Sequence, residues 1–392
     1  MEWVEAYRPA RRAIRRKAVV LVAILTLASG SSAFLDAYLH SRTRHKHQEL
    51  LDREVGRLER FVADARGLQF RRRVRVKLVS ASQFATATGS VDRLRNFLVA
   101  VYPAFAPLGL STGGDDPTVV ASTIAYRELG VYDDQTGEIQ VRASAITPFT
   151  RRILVHELTH AIDDQNFSFK TLDREYEGHD VAISALIEGD ARNVEDRYVK
   201  SLSTTEQVLA GGVTLASTAH VAGVPDDVLD LVRFPYTGGV SFVDHLVRSG
   251  GEAAVDDAFM NPPVADHEIL HPDFFETERK ARTRFLVFPE PPKPVGRSLG
   301  VEGRSYFLGE EITKLYLEQV IEPSEARRAA AYWMGDLSTV WNNGKRDCIH
   351  VVYTRPLTAE RTDTLKAALK AWATGVRTAK ISDAGLGFVS CG

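Results

Sequence analysis

The chain has 392 residues, 44% of them apolar and 26% charged, which suffices for a sizeable buried core and excludes a disordered or collagen-like polymer. Its net charge of -2 hides an asymmetry, because residues 1–77 carry 18 Lys and Arg against 8 Asp and Glu, leaving 31 against 43 in the remainder. The acidic body lacks the basic stripe that a DNA or RNA partner needs, and two cysteines exclude a disulfide-dense miniprotein or a cysteine-rich zinc finger.

At the start, Arg8, Arg11, Arg12, Arg15, Arg16 and Lys17 precede an apolar run from Ala18 to Ala28 and then the small residues Ser29 to Ala33. This order predicts an export signal or an N-terminal membrane anchor over residues 1–40, with the body outside the cytoplasm. The following His40, His45 and His47 are interleaved with Arg42, Arg44 and Lys46, as in a solvated segment next to a membrane. Helical spacing of Leu51, Val55, Leu58, Val62 and Ala65 predicts a helix over Glu49 to Leu68, and alternation at Val74, Val76 and Leu78 predicts a strand. Asp133, Asp134, Thr136 and Gly137 form a turn leading into a strand at Ile139 and Val141.

Thr147 and Pro148 supply an N-cap and a first-turn proline, so a helix is expected from Pro148 to about Asp164. It carries His156-Glu157-Leu158-Thr159-His160. In this HExxH spacing the two histidines lie one turn apart on one face, where both imidazoles can bind one Zn2+. Glu157 stands beside them as the general base for a water that the metal acidifies. Ile153, Leu154, Leu158 and Ala161 provide the face by which this helix is buried.

A catalytic zinc site needs a third protein ligand and an open position. A further histidine on the same helix is excluded, because Asp163 and Asn166 stand where that variant needs Gly and His. A second helix is expected over Val181 to Tyr198, with Ile187, Ala191, Val194 and Tyr198 on one stripe, and Glu188 on it is the expected third ligand. Glu177 and His179, around Gly178, are its rivals. Gly189 weakens a helix but suits a close approach of two helices around a metal. Asp163, Asp164 and Asp190 are candidates for orienting the imidazoles.

HELTH followed by Glu188-Gly189-Asp190-Ala191 resembles the gluzincin zinc metallopeptidases, the thermolysin-like clan, and more narrowly a family of exported bacterial metallopeptidases within it. Shared features span roughly residues 48 to 345 and include Arg66-Gly67-Leu68, Val131-Tyr132-Asp133, Thr136-Gly137-Glu138, Pro235-Tyr236, Gly238-Gly239 and Leu270-His271-Pro272. The resemblance implies zinc on His156, His160 and Glu188 with Glu157 as base. Two departures stand out: Glu188 follows His160 by 28 residues, and Arg192 occupies the place four after the ligand where that clan commonly has an acid.

Peptide hydrolysis also needs a donor to the oxyanion. Candidates are His271, after the Pro262-Pro263 break and a short helix at Asp266 to Leu270, and Tyr236, in an expected Pro-Tyr-Thr-Gly-Gly turn. His220, His245 and His267 are read as structural. Pro289, Pro291, Pro292 and Pro294 predict a stiff connection and a boundary near residue 290. Beyond it, a helix over Tyr306 to Ile321, a hairpin around Asn343-Gly344, a helix from Ala359 to Thr374 and a strand at Gly387 to Cys391 are expected, with Cys348 and Cys391 paired.

The expectation is an α+β protein with three parts: residues 1–40, a metallopeptidase domain at 41–290 with a helical core and a small sheet, and an α+β subdomain at 291–392. Its substrate would be a peptide or protein. The competing readings are a catalytically silent scaffold of the cell envelope and a zinc hydrolase acting on a non-peptide envelope substrate.

Overall fold

A computed structural model of the chain describes residues 48–87, 90–111, 116–175, 180–211, 220–278, 297–298, 307–356, 358–376, 378–382 and 386–392. The expected export segment, the histidines at 40, 45 and 47, the prolines at 289–294, and Glu177 and His179 all lie outside them. Among the described residues no helix is long and apolar enough to cross a membrane. The chain divides into two units, 1–57 and 58–392, and the first is described only as helix from residue 48.

The elements are helix α1 (48–66), β1 (Arg75–Val79), α2 (Ala81–Ala87), α3 (Ser90–Leu108), α4 (Pro117–Ala125), β2 (Gly130–Asp133) and β3 (Glu138–Arg142). Next come α5 (Pro148–Phe167), α6 (Phe169–Glu175), α7 (Asp180–Ser201), α8 (Thr204–Ala210), α9 (Asp226–Gly250), α10 (Glu252–Met260), α11 (Asp266–Leu270) and α12 (Pro272–Glu278). After the two-residue β4 (Arg297–Ser298) follow α13 (Gly309–Glu318), α14 (Pro323–Ala330), β5 (Asp336–Asn342), β6 (Asp347–Tyr353), α15 (Ala359–Gly375), β7 (Lys380–Ile381) and β8 (Gly387–Cys391). The architecture is α+β, as the sequence predicts.

The smaller sheet has the order β1-β3-β2, with β1 parallel to β3 and β2 antiparallel to it, so β2 is an edge strand. Gly137, at φ +66°, makes the turn between β2 and β3. α5 starts as expected, with the Thr147 hydroxyl accepting from the Thr150 amide at 3.1 Å and Pro148 in the first turn. Its Leu154, Val155, Leu158, Ala161 and Ile162 are fully buried. The larger sheet, β4-β5-β6-β8-β7, is antiparallel throughout. Cys348 and Cys391 face each other across β6 and β8 and form a disulfide.

Two expectations need correction. The first is the boundary at 290, because residues 58–392 make one unit with a core that ignores it: Leu98, Phe105, Ile124 and Val228 pack with Tyr316, Trp333, Ile349, Trp372 and Phe388. Apolar surface on α3, α4 and the start of α9 is buried against α13, α15 and the larger sheet, so neither half closes its core alone.

The second correction concerns Pro235 to Gly239, which lie inside the 25-residue helix α9 and form no turn. The glycines serve packing. A Cβ on Gly239 would stand 2.0 Å from the Ala185 carbonyl oxygen, and one on Gly189 would stand 2.2 Å from the Gly239 carbonyl oxygen. Helices α7 and α9 therefore meet backbone to backbone beside Glu188. Gly189 does mark a close helix approach, as expected, and its partner is Gly239, in the segment that resembled a turn.

Candidate metal centre

Helix α5 carries His156 and His160 on one face, and α7 brings Glu188 to them. The His156 Nε2 and His160 Nε2 atoms are 3.1 Å apart, and Glu188 Oε2 lies 3.2 Å from the first and 3.7 Å from the second. Ligand atoms around a tetrahedral zinc with bonds near 2.0–2.1 Å are separated by about 3.3 Å, so the triangle has the size of one coordination face. Glu188 Oε2 is buried and accepts no aligned hydrogen bond. Two imidazole nitrogens and a carboxylate oxygen converging on one point are a donor set that fits a cation.

The electrostatics of the cluster agree. Burial works against a charge on His156, yet the Glu188 and Glu195 carboxylates beside it carry its pKa up to about 10. Burial and the His156 charge hold His160 down, at about 4, against the pull of Glu188. Glu188 lies below the usual carboxylate range, because His160, His156 and a hydrogen bond from Tyr236 outweigh its burial. Without a metal the centre thus favours one positive charge, on His156, and a cation bound there would displace that proton.

Glu195 is the orienting residue that local sequence reasoning missed. Its Oε2 is 3.1 Å from His156 Nδ1, while Arg192 and Arg152 hold its Oε1. Burial raises its pKa, but His156 and the two arginines bring it down to about 2, so it is a carboxylate. Glu195 lies seven residues after Glu188, two turns along the same helix face. The acid expected at position 192 is therefore replaced by one a turn further on, and Arg192 supports it.

Asp163, Asp164 and Asp190 do other work. Arg66, 1% exposed, pairs with Asp190 at 2.6 Å, Asp163 at 3.3 Å, Glu252 at 2.7 Å and Asp256 at 2.9 Å. This ties α5, α7 and α10 together immediately behind the histidines. Asp164 accepts from the Tyr132 hydroxyl at 2.7 Å and from the Phe169 amide at 3.0 Å. His160 Nδ1 is buried and has no hydrogen-bond partner among the described residues.

Glu157, next to the ligands and 6% exposed, turns toward the edge strand β2 and accepts from the Tyr132 amide. A Cβ at Gly130 would fall 2.6 Å from Glu157 Oε1, so only glycine lets the strand lie this close. Burial pushes the Glu157 carboxyl up to about 8, with His156 opposing and Glu188 and Glu128 reinforcing the rise. That is the range in which a carboxylate is basic enough to take a proton near neutral pH.

Of the two expected oxyanion donors, the structure brings Tyr236 to the site. Its hydroxyl hydrogen-bonds Glu188, and burial pushes its pKa well above the ordinary value, so it remains a donor. It arrives from α9 through the glycine contact described above. His271 instead bonds Glu310, with Nε2 at 3.1 and 3.0 Å from the two carboxylate oxygens. His267, read as structural from the sequence, meets the same carboxylate. His245 Nε2 lies 3.1 Å from Glu276 Oε2, and the exposed His220 Nδ1 lies 3.2 Å from Asp226 Oδ1.

Comparison with family models, with curated proteins and with solved structures finds no match for the chain.

Proposed function

We propose that the protein is a zinc-dependent metallopeptidase that hydrolyses peptide bonds, with His156, His160 and Glu188 as ligands and Glu157 as general base. The observation that carries this reading is the convergence of the three ligand atoms within 3.1–3.7 Å beside a buried glutamate that ligates nothing. Two imidazoles and one carboxylate in a three-ligand set suit zinc better than calcium or magnesium, which prefer all-oxygen shells. Zinc bound there supplies Lewis acidity toward a water and a substrate carbonyl.

The chain's own residues do the rest. Glu195 fixes the His156 ring through Nδ1, so Nε2 points at the metal position. Glu157 takes a proton from the attacking water and passes it to the leaving amine. The Tyr236 hydroxyl, whose one proton goes to Glu188 in this structure, would turn from Glu188 to donate to the oxyanion. The edge strand β2 lies against Glu157, which favours an extended peptide pairing along it over other hydrolase substrates. The basic and apolar N-terminal segment would export or anchor the chain, and the Cys348–Cys391 bond suits an oxidising compartment.

The test is cleavage of a quenched-fluorescent peptide library by the zinc-loaded full chain. Cleavage should vanish on chelation and return with about one equivalent of zinc at this site. Metal binding without cleavage of any peptide would contradict the peptidase reading and favour the silent scaffold.

A further inference from the structure

A second group of the same composition stands elsewhere in the fold. Residues 267–271 read His-Glu-Ile-Leu-His, the HExxH spacing again, and Glu310 completes the set from α13. His267 Nδ1 lies 2.5 Å from Glu310 Oε2, and His271 Nε2 lies 3.0 Å from the same oxygen. The three ligand atoms all fall within 4.8 Å of one another. His267 and Glu310 are more than nine-tenths buried, whereas the His271 side chain is 36% exposed and leaves the group open on one side.

We infer that His267, His271 and Glu310 form a second metal site, for a divalent transition ion of the zinc type, that joins α11 to α13. The support around it is already built. Asp266, the residue before His267, accepts from the Glu310 amide at 3.0 Å and the Glu311 amide at 2.7 Å, which holds the first turn of α13 against α11. Gly309, at φ +80°, allows this approach, since a Cβ there would stand 2.5 Å from Asp266. The His267 ring is wedged between Phe274 and Trp333, with centroids at 5.0 and 5.8 Å. Ligands locked by packing and by backbone hydrogen bonds are what a metal site requires.

The glutamate inside this second HExxH is turned away. Glu268 accepts from the Val264 amide at 2.6 Å and is 5% exposed. The role of the second metal is to fasten α11, before residues 279–306, to α13, after them. This inference is independent of the peptidase reading, because it uses none of the same residues.

The test uses full-length His156→Ala/Glu188→Ala protein, which lacks the first site and keeps every residue of the second. Titrated with zinc and with cobalt, it should bind about one equivalent per chain, and wild type about two. Cobalt should give the visible absorption of a low-coordinate nitrogen and oxygen site. The unfolding midpoint of the double variant should rise with zinc, and adding Glu310→Gln should abolish both the binding and the rise. Zero equivalents in the folded double variant, or one equivalent that survives Glu310→Gln, would overturn the inference and leave the group as a hydrogen-bonded histidine–glutamate triad.

Discussion

Replacing Glu157 by Gln leaves metal content at the wild-type level and lowers kcat/KM on a cleaved peptide by at least about 10²–10⁴-fold. The substitution is nearly isosteric, and the amide oxygen still accepts from the Tyr132 amide. His156, His160 and Glu188 are untouched, so zinc affinity should hold. What disappears is the ability to take a proton. Stability should not fall, because burial already disfavours the charged form of this side chain, and the neutral amide avoids that cost. A Glu157→Gln protein with full turnover would remove the general base from the account. One that loses zinc would show that Glu157 holds the ligands in place.

The largest effect on stability should come from Arg66→Met. Asp163 and Asp190 are fully buried against the Arg66 guanidinium; burial and Asp190 hold the Asp163 carboxyl well above the usual range in spite of Arg66, and Asp190 relies on Arg66 for its countercharge. Removing it strands the buried Asp190 carboxylate, together with the partly exposed Glu252 and Asp256. Breaking one side of a buried ion pair costs about 3–5 kcal/mol. Chemical denaturation should show a loss of that size, and the double variant Arg66→Met/Asp190→Asn should recover part of it, since one stranded charge is then removed. Zinc binding should weaken as well, because the same guanidinium ties α5, which bears the histidines, to α7, which bears Glu188. A loss below about 1 kcal/mol would mean that water reaches the cluster and screens it.

The centre of the site is legible in the sequence because its signals are local. Thr147-Pro148 announces the start of α5, HELTH sets two imidazoles one turn apart, and the stripe through Ile187, Ala191, Val194 and Tyr198 places Glu188 on a helix. What the sequence hides are contacts made across the fold. Arg66 claims Asp163 and Asp190, so the acids nearest the histidines in sequence do not serve them, and Glu195, two turns past the ligand, does. The glycines at 238 and 239 carry the usual mark of a turn, yet they lie in α9, where Gly239 meets Gly189 of α7 backbone to backbone. HEILH repeats the HExxH spacing, yet the sequence reading leaves His267 as structural, and the third member, Glu310, lies 39 residues past His271. The prolines near 290 look like a domain border, and the core on both sides of them is continuous.

The central claim is that one metal ion sits between His156, His160 and Glu188. Anomalous diffraction from crystals of the zinc-loaded protein, collected on either side of the zinc absorption edge, tests it directly. The account predicts a peak about 2.0–2.2 Å from His156 Nε2, His160 Nε2 and Glu188 Oε2. Zinc-loaded crystals with no peak among these three atoms, or with those side chains hydrogen-bonded to one another in its place, would contradict it.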